Sequence, residues 1–309
     1  MKVYRSVDEI PSIKNPVVTL GTYDGVHLGH QEIISFLKKN AKRTGGETVL
    51  FTFHPHPRMV LYPEDHGMKL IQSIDERIEK LERFGIDHLI LFPFTEEFSR
   101  LSATEFVRDI LVNKLNVSMM TIGYNHHFGR NREGNLELLK ELGIVYDFKV
   151  EEIPAFRTGD ISISSTKIRK AIQCGDLQTA KLYLGESFSF KGKVVRGDQI
   201  GTKIGFPTAN MQLLTPHQII PTNGVYAVKV KYANRTIKGM MNIGQRPTVS
   251  ELKEQRIEVH LFDFNEDIYD NIIDVQFIAR VRDEQEFESL EALTNQLKND
   301  QATCLHMLA

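Results

Sequence analysis

One decapeptide constrains the fold more than any other stretch: Gly21-Thr-Tyr-Asp-Gly-Val-His-Leu-Gly-His30, a turn set between an apolar run and an amphipathic one. Before it, Val17, Val18 and Leu20 follow Pro16 and predict a short buried strand. After it, Ile33, Ile34, Leu37 and Ala41 recur at helical spacing, with Lys38, Lys39 and Lys42 on the other side and Gly45 as a stop. His27 and His30 then fall in the first turn of a helix, three residues apart on one face. A helix N-terminus carries unpaired N–H groups and a partial positive charge, which favours phosphate. The glycines at 21, 25 and 29 let the backbone approach a ligand closely. Two imidazoles added there suit a polyphosphate rather than a metal.

A chain of 309 residues is long for a single core and predicts two domains. Hydrophobic residues at 41% and charged residues at 25% describe an ordinary soluble protein. The formal net charge of -2 argues against nucleic acid or a membrane surface as the main partner. An anionic substrate must therefore be held by local charge and backbone dipoles. Two cysteines, Cys174 and Cys304, fit a reducing compartment better than a disulfide. The N-terminus has no apolar core of signal-peptide length, and no run approaches the span of a bilayer. A cytoplasmic protein is expected.

The first half alternates strands with helices. Thr48–Phe53 reads as a strand that ends at the proline-rich His54-Pro-His-Pro57. Ser73 with Glu76 makes a capping box for a helix through Phe84, stopped by Gly85. His88–Phe92 is the next strand. Ser102 with Glu105 caps a helix carrying Phe106, Ile110 and Leu111, and the strand Ser118–Ile122 follows. A short helix from Asn135 to Leu142 is closed by a glycine, and Ile144–Val150 reads as a strand. This order predicts a parallel sheet with helices on both faces and ligands beyond the carboxyl ends of its strands. The turn at 21–30 lies at such an end, as does the glycine-rich, polar Gly123-Tyr-Asn-His-His-Phe-Gly129.

From about Phe188 the helical periodicity nearly vanishes. Val225–Val230, Gln255–Phe262 and Ile272–Ile278 are strand-like, separated by turn signals such as Asn223-Gly224 and Asn265-Glu-Asp267. That pattern predicts an antiparallel barrel or sandwich. Only Phe287, Leu290, Leu293 and Leu297 return to helical spacing, giving a terminal helix. The expected domains are residues 1–185 and 186–309.

Two candidate sites are set aside. His54-Pro-His-Pro57 lacks the further ligands of a metal site and reads as a rigid strand exit. Gly197-Asp-Gln-Ile-Gly-Thr-Lys203 has three residues between its glycines and Thr before Lys, so it is not a Walker loop. Ile163-Ser-Ser-Thr-Lys-Ile-Arg169 is more telling: it opens a helix with hydroxyls, and Arg169 lies one turn on.

The decapeptide resembles the HxGH signature of the nucleotidyltransferases, and its longer form is similar to that of the prokaryotic bifunctional riboflavin kinase/FAD synthetases. Ser164–Arg169 looks like the second ATP motif of that family, S-S-T-x-I-R, in full. Gly123–Gly129 resembles the family's G-x-D/N-F-x-F-G, with Asn125, Phe128 and Gly129 matching and His126 replacing the usual aromatic. Gly205-Phe-Pro-Thr-Ala-Asn210 is similar to the G-x-P-T-A-N motif of riboflavin kinases. Met241–Thr248 and Ile257-Glu-Val-His-Leu261 resemble its remaining signatures.

The resemblance covers essentially the whole chain. It implies a Rossmann-like nucleotidyltransferase sheet followed by a riboflavin-kinase-type β-barrel. It implies His27 and His30 as catalytic residues of adenylyl transfer, with Gly21, Asp24, Gly25, Gly29, Ser165, Thr166 and Arg169 on ATP and its phosphates. Asn125 and Phe128 would contact flavin. In the kinase half it implies Gly205, Thr208 and Asn210 on the nucleotide, Thr208 on Mg2+, and Glu258 as the base for the ribityl hydroxyl. Substrates would be riboflavin, FMN and ATP, with FMN and FAD as products, and the chain a monomer or weak homo-oligomer. Two other readings stay open: an adenylyltransferase whose barrel only binds flavin, and a non-catalytic flavin sensor.

Overall fold

The computed structural model describes residues 1–64, 67–123, 126–153, 157–158, 161–197, 200–246 and 254–309. The chain divides into two units, one of residues 1–68 with 74–164 and the other of residues 69–73 with 165–309.

In the first unit, β1 (Lys2–Tyr4), β2 (Val17–Leu20), β3 (Thr48–Phe53), β4 (His88–Phe92), β5 (Met119–Gly123) and β6 (Lys149–Ile153) form one sheet. Its order is β1-β4-β3-β2-β5-β6, and every pairing is parallel. All four residues of β2 are buried, as a parallel strand covered on both faces requires. From β2 the chain builds outward through β3 and β4 on one side, then returns to place β5 and β6 on the other. The switch point therefore falls between β2 and β5, where an open α/β sheet leaves a crevice beyond its carboxyl ends. The decapeptide leaves β2 at that point, and the loop after β5 starts beside it. The helix Leu28–Thr44 begins directly after the turn and ends at Gly45 in the left-handed conformation.

The capping box at Ser102 and Glu105 forms in both directions, but the helix it opens becomes π-helical over Phe106–Val112. One expectation is corrected. Gly143 does not stop its helix, which runs from Leu136 to Tyr146, so the strand expected over Ile144–Val150 begins only at Lys149 and runs on to Ile153. The left-handed cap is supplied instead by Asp147, at φ 59°. Gly143 is needed for packing: a Cβ there would lie 2.7 Å from the Phe148 carbonyl oxygen. Ile144 and Val145 are left exposed on the helix surface, so their apolar character misleads.

Two short strands, β7 (Arg157–Thr158) and β8 (Ile161–Ser162), end the first unit, and the helices Ser165–Gln173 and Leu177–Leu184 open the main segment of the second. Then β9 (Ser189–Val195), β10 (Ala209–Leu213), β11 (Gly224–Tyr232), β12 (Arg235–Arg246), β13 (Glu254–Leu261) and β14 (Ile272–Arg282) close into a barrel, ordered β10-β13-β12-β11-β14-β9. Its pairings are antiparallel throughout, so the barrel and not the sandwich is formed. Sequence patterning misses β9, β10 and β12, whose polar residues blur the alternation. The terminal helix Leu290–Met307 is fastened to β14 by Asp300, which is 2% exposed and accepts from Arg282 at 2.7–3.0 Å.

Candidate active sites

The turn after β2 is held in a conformation few sequences tolerate. Tyr23 and Val26 have φ of 50° and 39°, and Gly25 has 86°, the left-handed region that costs a β-branched residue most. Surrounding groups fix it. The Tyr23 hydroxyl meets Thr19 Oγ1 at 2.8 Å, and burial pushes its phenol well above the ordinary tyrosine range. Arg77 and Lys80, from the helix Ile74–Arg83, donate to the carbonyls of Thr22 and Gly25 at 2.9 and 3.0 Å. Gln31 Nε2 donates to the Val26 carbonyl at 3.0 Å.

His27 is the N-cap, one step outside the helix: its Nδ1 accepts the His30 N–H at 3.3 Å. The two imidazole rings stack, with centroids 3.6 Å apart and planes at 15°. Gly29 permits this, since a Cβ there would stand 3.3 Å from the His27 ring. His30 also leans on Tyr23, 4.8 Å between centroids. Burial, then the neighbouring His27, Arg77 and Lys80, hold His30 well below the ordinary histidine range, so it is neutral at neutral pH. Its Nδ1 is buried and has no hydrogen-bond partner among the described residues. The pair is therefore a preset donor surface at a helix N-terminus rather than a standing double charge. Asp24 lies beneath the turn, fully buried, 3.9 Å from Arg77.

Beside the turn, in the loop after β5, Asn125 lies outside the described residues. Phe128 is 8% exposed and packs against Phe106, 6.1 Å between centroids. His126 stacks on Phe128 at 6.3 Å, and burial pushes it down to about 4. As a neutral ring it substitutes for the aromatic expected at its position. A group of half-buried phenylalanines that sequence reasoning missed, Phe53, Phe92, Phe94 and Phe98, sits at the carboxyl ends of β3 and β4, with neighbouring centroids 4.6–5.7 Å apart. His54 and His56 belong to the strand exit: the His54 N–H donates to the Phe92 carbonyl, and His56 caps the helix Pro57–Leu61.

The second ATP motif is carried by the second unit. Ser165 and Thr166 are the first two residues of their helix, with Ser165 and Arg169 half-buried and Thr166 exposed. Ile168 and Ile172, on the adjoining side of that helix, are fully buried.

On the barrel, register assembles a row across three strands. Asn210 on β10 pairs with Glu258 on β13, which pairs with Asn242 on β12, so their side chains share a face. Thr208 just precedes β10, and its hydroxyl donates to Glu258 Oε1 at 3.5 Å, the long limit of a hydrogen bond. The same oxygen is 2.8 Å from Arg256 Nη2. His260 Nδ1–H donates to the Pro207 carbonyl at 2.7 Å and stands edge-on to Phe206, which fixes the segment entering Thr208. Gly205 makes the preceding bend at φ 84°. Beside Thr208 a cleft is lined by Val194, Pro207, Leu261, Phe264 and Tyr269. Among the described residues no three His, Cys, Asp or Glu side chains come together to cage a metal. Pro247 and Thr248, the end of one kinase signature, lie outside the described residues.

The glycines of the rejected Walker-like segment prove to be spacers. A Cβ on Gly197 would fall 2.1 Å from Asn210 Nδ2, and one on Gly201 2.2 Å from the Phe206 carbonyl oxygen. Gly197→Ala is expected to swing the Asn210 amide out of the row and slow barrel chemistry by about 10- to 100-fold, the scale of an ångström's misplacement. Steady-state assay of both activities checks this: equal rates for the variant and the parent would show that Asn210 can move without consequence.

The two units thus carry two separate polar constellations, the His27–His30 turn and the Thr208–Glu258 row, and the comparisons with known families make the chain a transferase that uses nucleotide twice. The FAD synthetase family model matches residues 9–167 and the riboflavin kinase family model residues 184–308. The chain belongs to the bifunctional riboflavin kinase/FMN adenylyltransferases. Relatives of that description include one from Buchnera aphidicola subsp. Acyrthosiphon pisum, 38% identical over 97% of this chain and 96% of the relative. Another, from Escherichia coli K12, is 35% identical over 98% and 96%. A crystal structure described as a macrolide-efflux protein from Streptococcus pneumoniae is 33% identical with a TM-score of 0.88, covering 98% of both chains. Among the described residues no helix is long and apolar enough to cross a membrane. The enzyme converts riboflavin and ATP to FMN and ADP, then FMN and ATP to FAD and pyrophosphate.

Proposed function

We propose that FMN is adenylylated at the switch point between β2 and β5, and that riboflavin is phosphorylated at the Thr208–Glu258 row. The stacked His27–His30 pair, at a helix head on the switch point, carries the first assignment. The FMN phosphate is already ionised and attacks the α-phosphorus without a base. His27 and His30 therefore orient ATP and stabilise charge in the transition state. The backbone at Gly21, Gly25 and Gly29 lies against the phosphates, while Asp24 acts from beneath through Arg77. Ser165, Thr166 and Arg169, at the head of their own helix, are donors of the kind that ATP phosphates need. Phe53, Phe94 and Phe98, with the loop of Asn125 and Phe128, offer the flavin ring an aromatic surface.

In the barrel the nucleophile is an alcohol, so a carboxylate base is useful. Glu258 takes the ribityl proton. Thr208 and Asn210 hold the magnesium–nucleotide phosphates, Gly205 makes the bend that brings them in, and the neighbouring cleft receives the nucleoside. Hard oxygens with no carboxylate cage suit Mg2+ that keeps waters and takes its other ligands from phosphate. When bound, the ion neutralises developing charge on the transferred group.

The two free thiols, Cys174 and Cys304, support a cytoplasmic enzyme. The riboflavin kinase match begins at residue 184, which supports activities separable near Gly185, and we take the enzyme as a monomer or weak homo-oligomer. Chelating magnesium should stop FMN formation. Thr208→Ala should slow it and regain part of the loss at higher magnesium-ATP. A loss that excess magnesium-ATP leaves untouched would remove Thr208 from the metal–nucleotide site.

A further inference from the structure

The helix Ile74–Arg83 buries two cations where its spacing would admit apolar residues: Arg77 is 1% exposed and Lys80 3%. Taking charges out of water is costly, and a hydrophobic pair of similar volume commonly serves stability as well or better. Their contacts show what they do instead. Arg77 Nη1 donates to the Thr22 carbonyl, which Thr52 Oγ1 also meets at 3.2 Å, and Lys80 Nζ donates to the Gly25 carbonyl.

A trans peptide is planar, so each carbonyl pulled toward this helix sends the next N–H the opposite way. The Tyr23 N–H is turned outward in this manner. The His27 N–H is turned likewise, because Gln31 draws the Val26 carbonyl inward. The helix Ile74–Arg83 therefore holds the carbonyls of Thr22 and Gly25, while the Val26 N–H closes the turn onto the Tyr23 carbonyl at 3.1 Å, and these bonds together keep Tyr23, Gly25 and Val26 left-handed.

The cations also set the electrostatics behind the histidines. The groups facing His30 are His27 and Tyr23 from the turn and Arg77 and Lys80 from the helix, with Asp24 against Arg77. The charge of the two cations, balanced in part by Asp24, lies behind a neutral, buried imidazole and favours an incoming polyphosphate.

We propose that Arg77 and Lys80 are positioning residues for adenylyl transfer, holding the Thr22 and Gly25 carbonyls from behind so that the turn keeps its shape and His30 faces ATP. This rests on the placement of that reaction at His27 and His30. Neither cation touches substrate; each acts through the turn.

The test uses the full chain with Lys80→Met, Lys80→Arg and His30→Ala. FAD formation from FMN and magnesium-ATP is the assay, with FMN formation from riboflavin as internal control. Lys80→Met is expected to lower kcat for FAD formation about 100-fold, the cost of a small misplacement, with KM for ATP changed far less and the kinase rate unchanged. His30, followed by its imidazole proton resonance, should titrate closer to the ordinary histidine value in that variant. Lys80→Arg should restore most of the rate, because a cationic donor returns. If Lys80→Met keeps the parent rate while His30→Ala loses it, the proposal falls and the site stands. If both keep it, the site reading falls and takes the proposal with it. A loss in Lys80→Met that Lys80→Arg does not rescue, with the His30 titration unmoved, would show a structural role only and overturn the proposal.

Discussion

Replacing His30 with alanine is expected to lower FAD formation from FMN by about 100- to 1000-fold, the usual cost of one charge-stabilising donor, while riboflavin phosphorylation continues at its normal rate. His30 is a cleaner target than His27. The His27 imidazole also caps the helix through the His30 amide, and losing a cap costs about 1 kcal/mol of stability. Removing His30 leaves that cap, the Tyr23–Thr19 hydrogen bond and the Arg77 and Lys80 tethers in place. The turn then keeps its shape and loses only an imidazole. The deficit should appear in kcat, because the interaction strengthens as charge develops on the α-phosphate. The assay supplies FMN directly, so that a kinase effect cannot enter. Near-normal FAD synthesis by this variant would remove the stacked pair from the chemistry.

Glu258→Gln is expected to abolish most riboflavin phosphorylation, by about 100- to 10,000-fold, and to spare FMN adenylylation. The geometry makes this a test of proton transfer alone. A glutamine Oε1 can still accept from Arg256 Nη2, now 2.8 Å away, and from Thr208 Oγ1 at 3.5 Å. The cross-strand register with Asn210 and Asn242 is a backbone property and persists. What the amide cannot do is take a proton at neutral pH. Saturating magnesium-ATP should leave the defect unrelieved, unlike that of Thr208→Ala. Retention of more than about a tenth of the parental rate is incompatible with a general base of ordinary strength. Loss of both activities together would count against two separate sites.

The parts of this enzyme legible in the sequence are the local ones. A strand, a glycine turn and an amphipathic helix lie within residues 17–44, and periodicity alone places His27 and His30 at a helix head. The barrel row is different. Asn210, Asn242 and Glu258 meet only because β10, β13 and β12 pair in one register, and no window of sequence spans them. Resemblance supplied Glu258 and Asn210, but Arg256 and Asn242 went unremarked. Arg77 and Lys80 were missed for another reason: charge in an amphipathic helix is read as surface, whereas both are buried. The spacing of Gly197 and Gly201 does not fit a phosphate loop, and their smallness is what Asn210 and Phe206 require. Gly143 shows the converse, a glycine kept for packing and misread as a helix stop.

The strand arrangements also bear on how each half resists sticking to its neighbours in a crowded solution. An outermost strand offers unpaired backbone groups to any passing chain, and barrels have none to offer. The kinase half, closed on itself, needs no further protection. The parallel sheet ends at β1 and β6, and both ends are poor templates. β1 is only three residues long and starts with an exposed lysine. β6 carries Lys149, Glu151 and Glu152, with Glu151 engaged by Arg43 and Glu152 by Lys140. One half has no rim to offer another chain, and the other charges and shortens the rim it has.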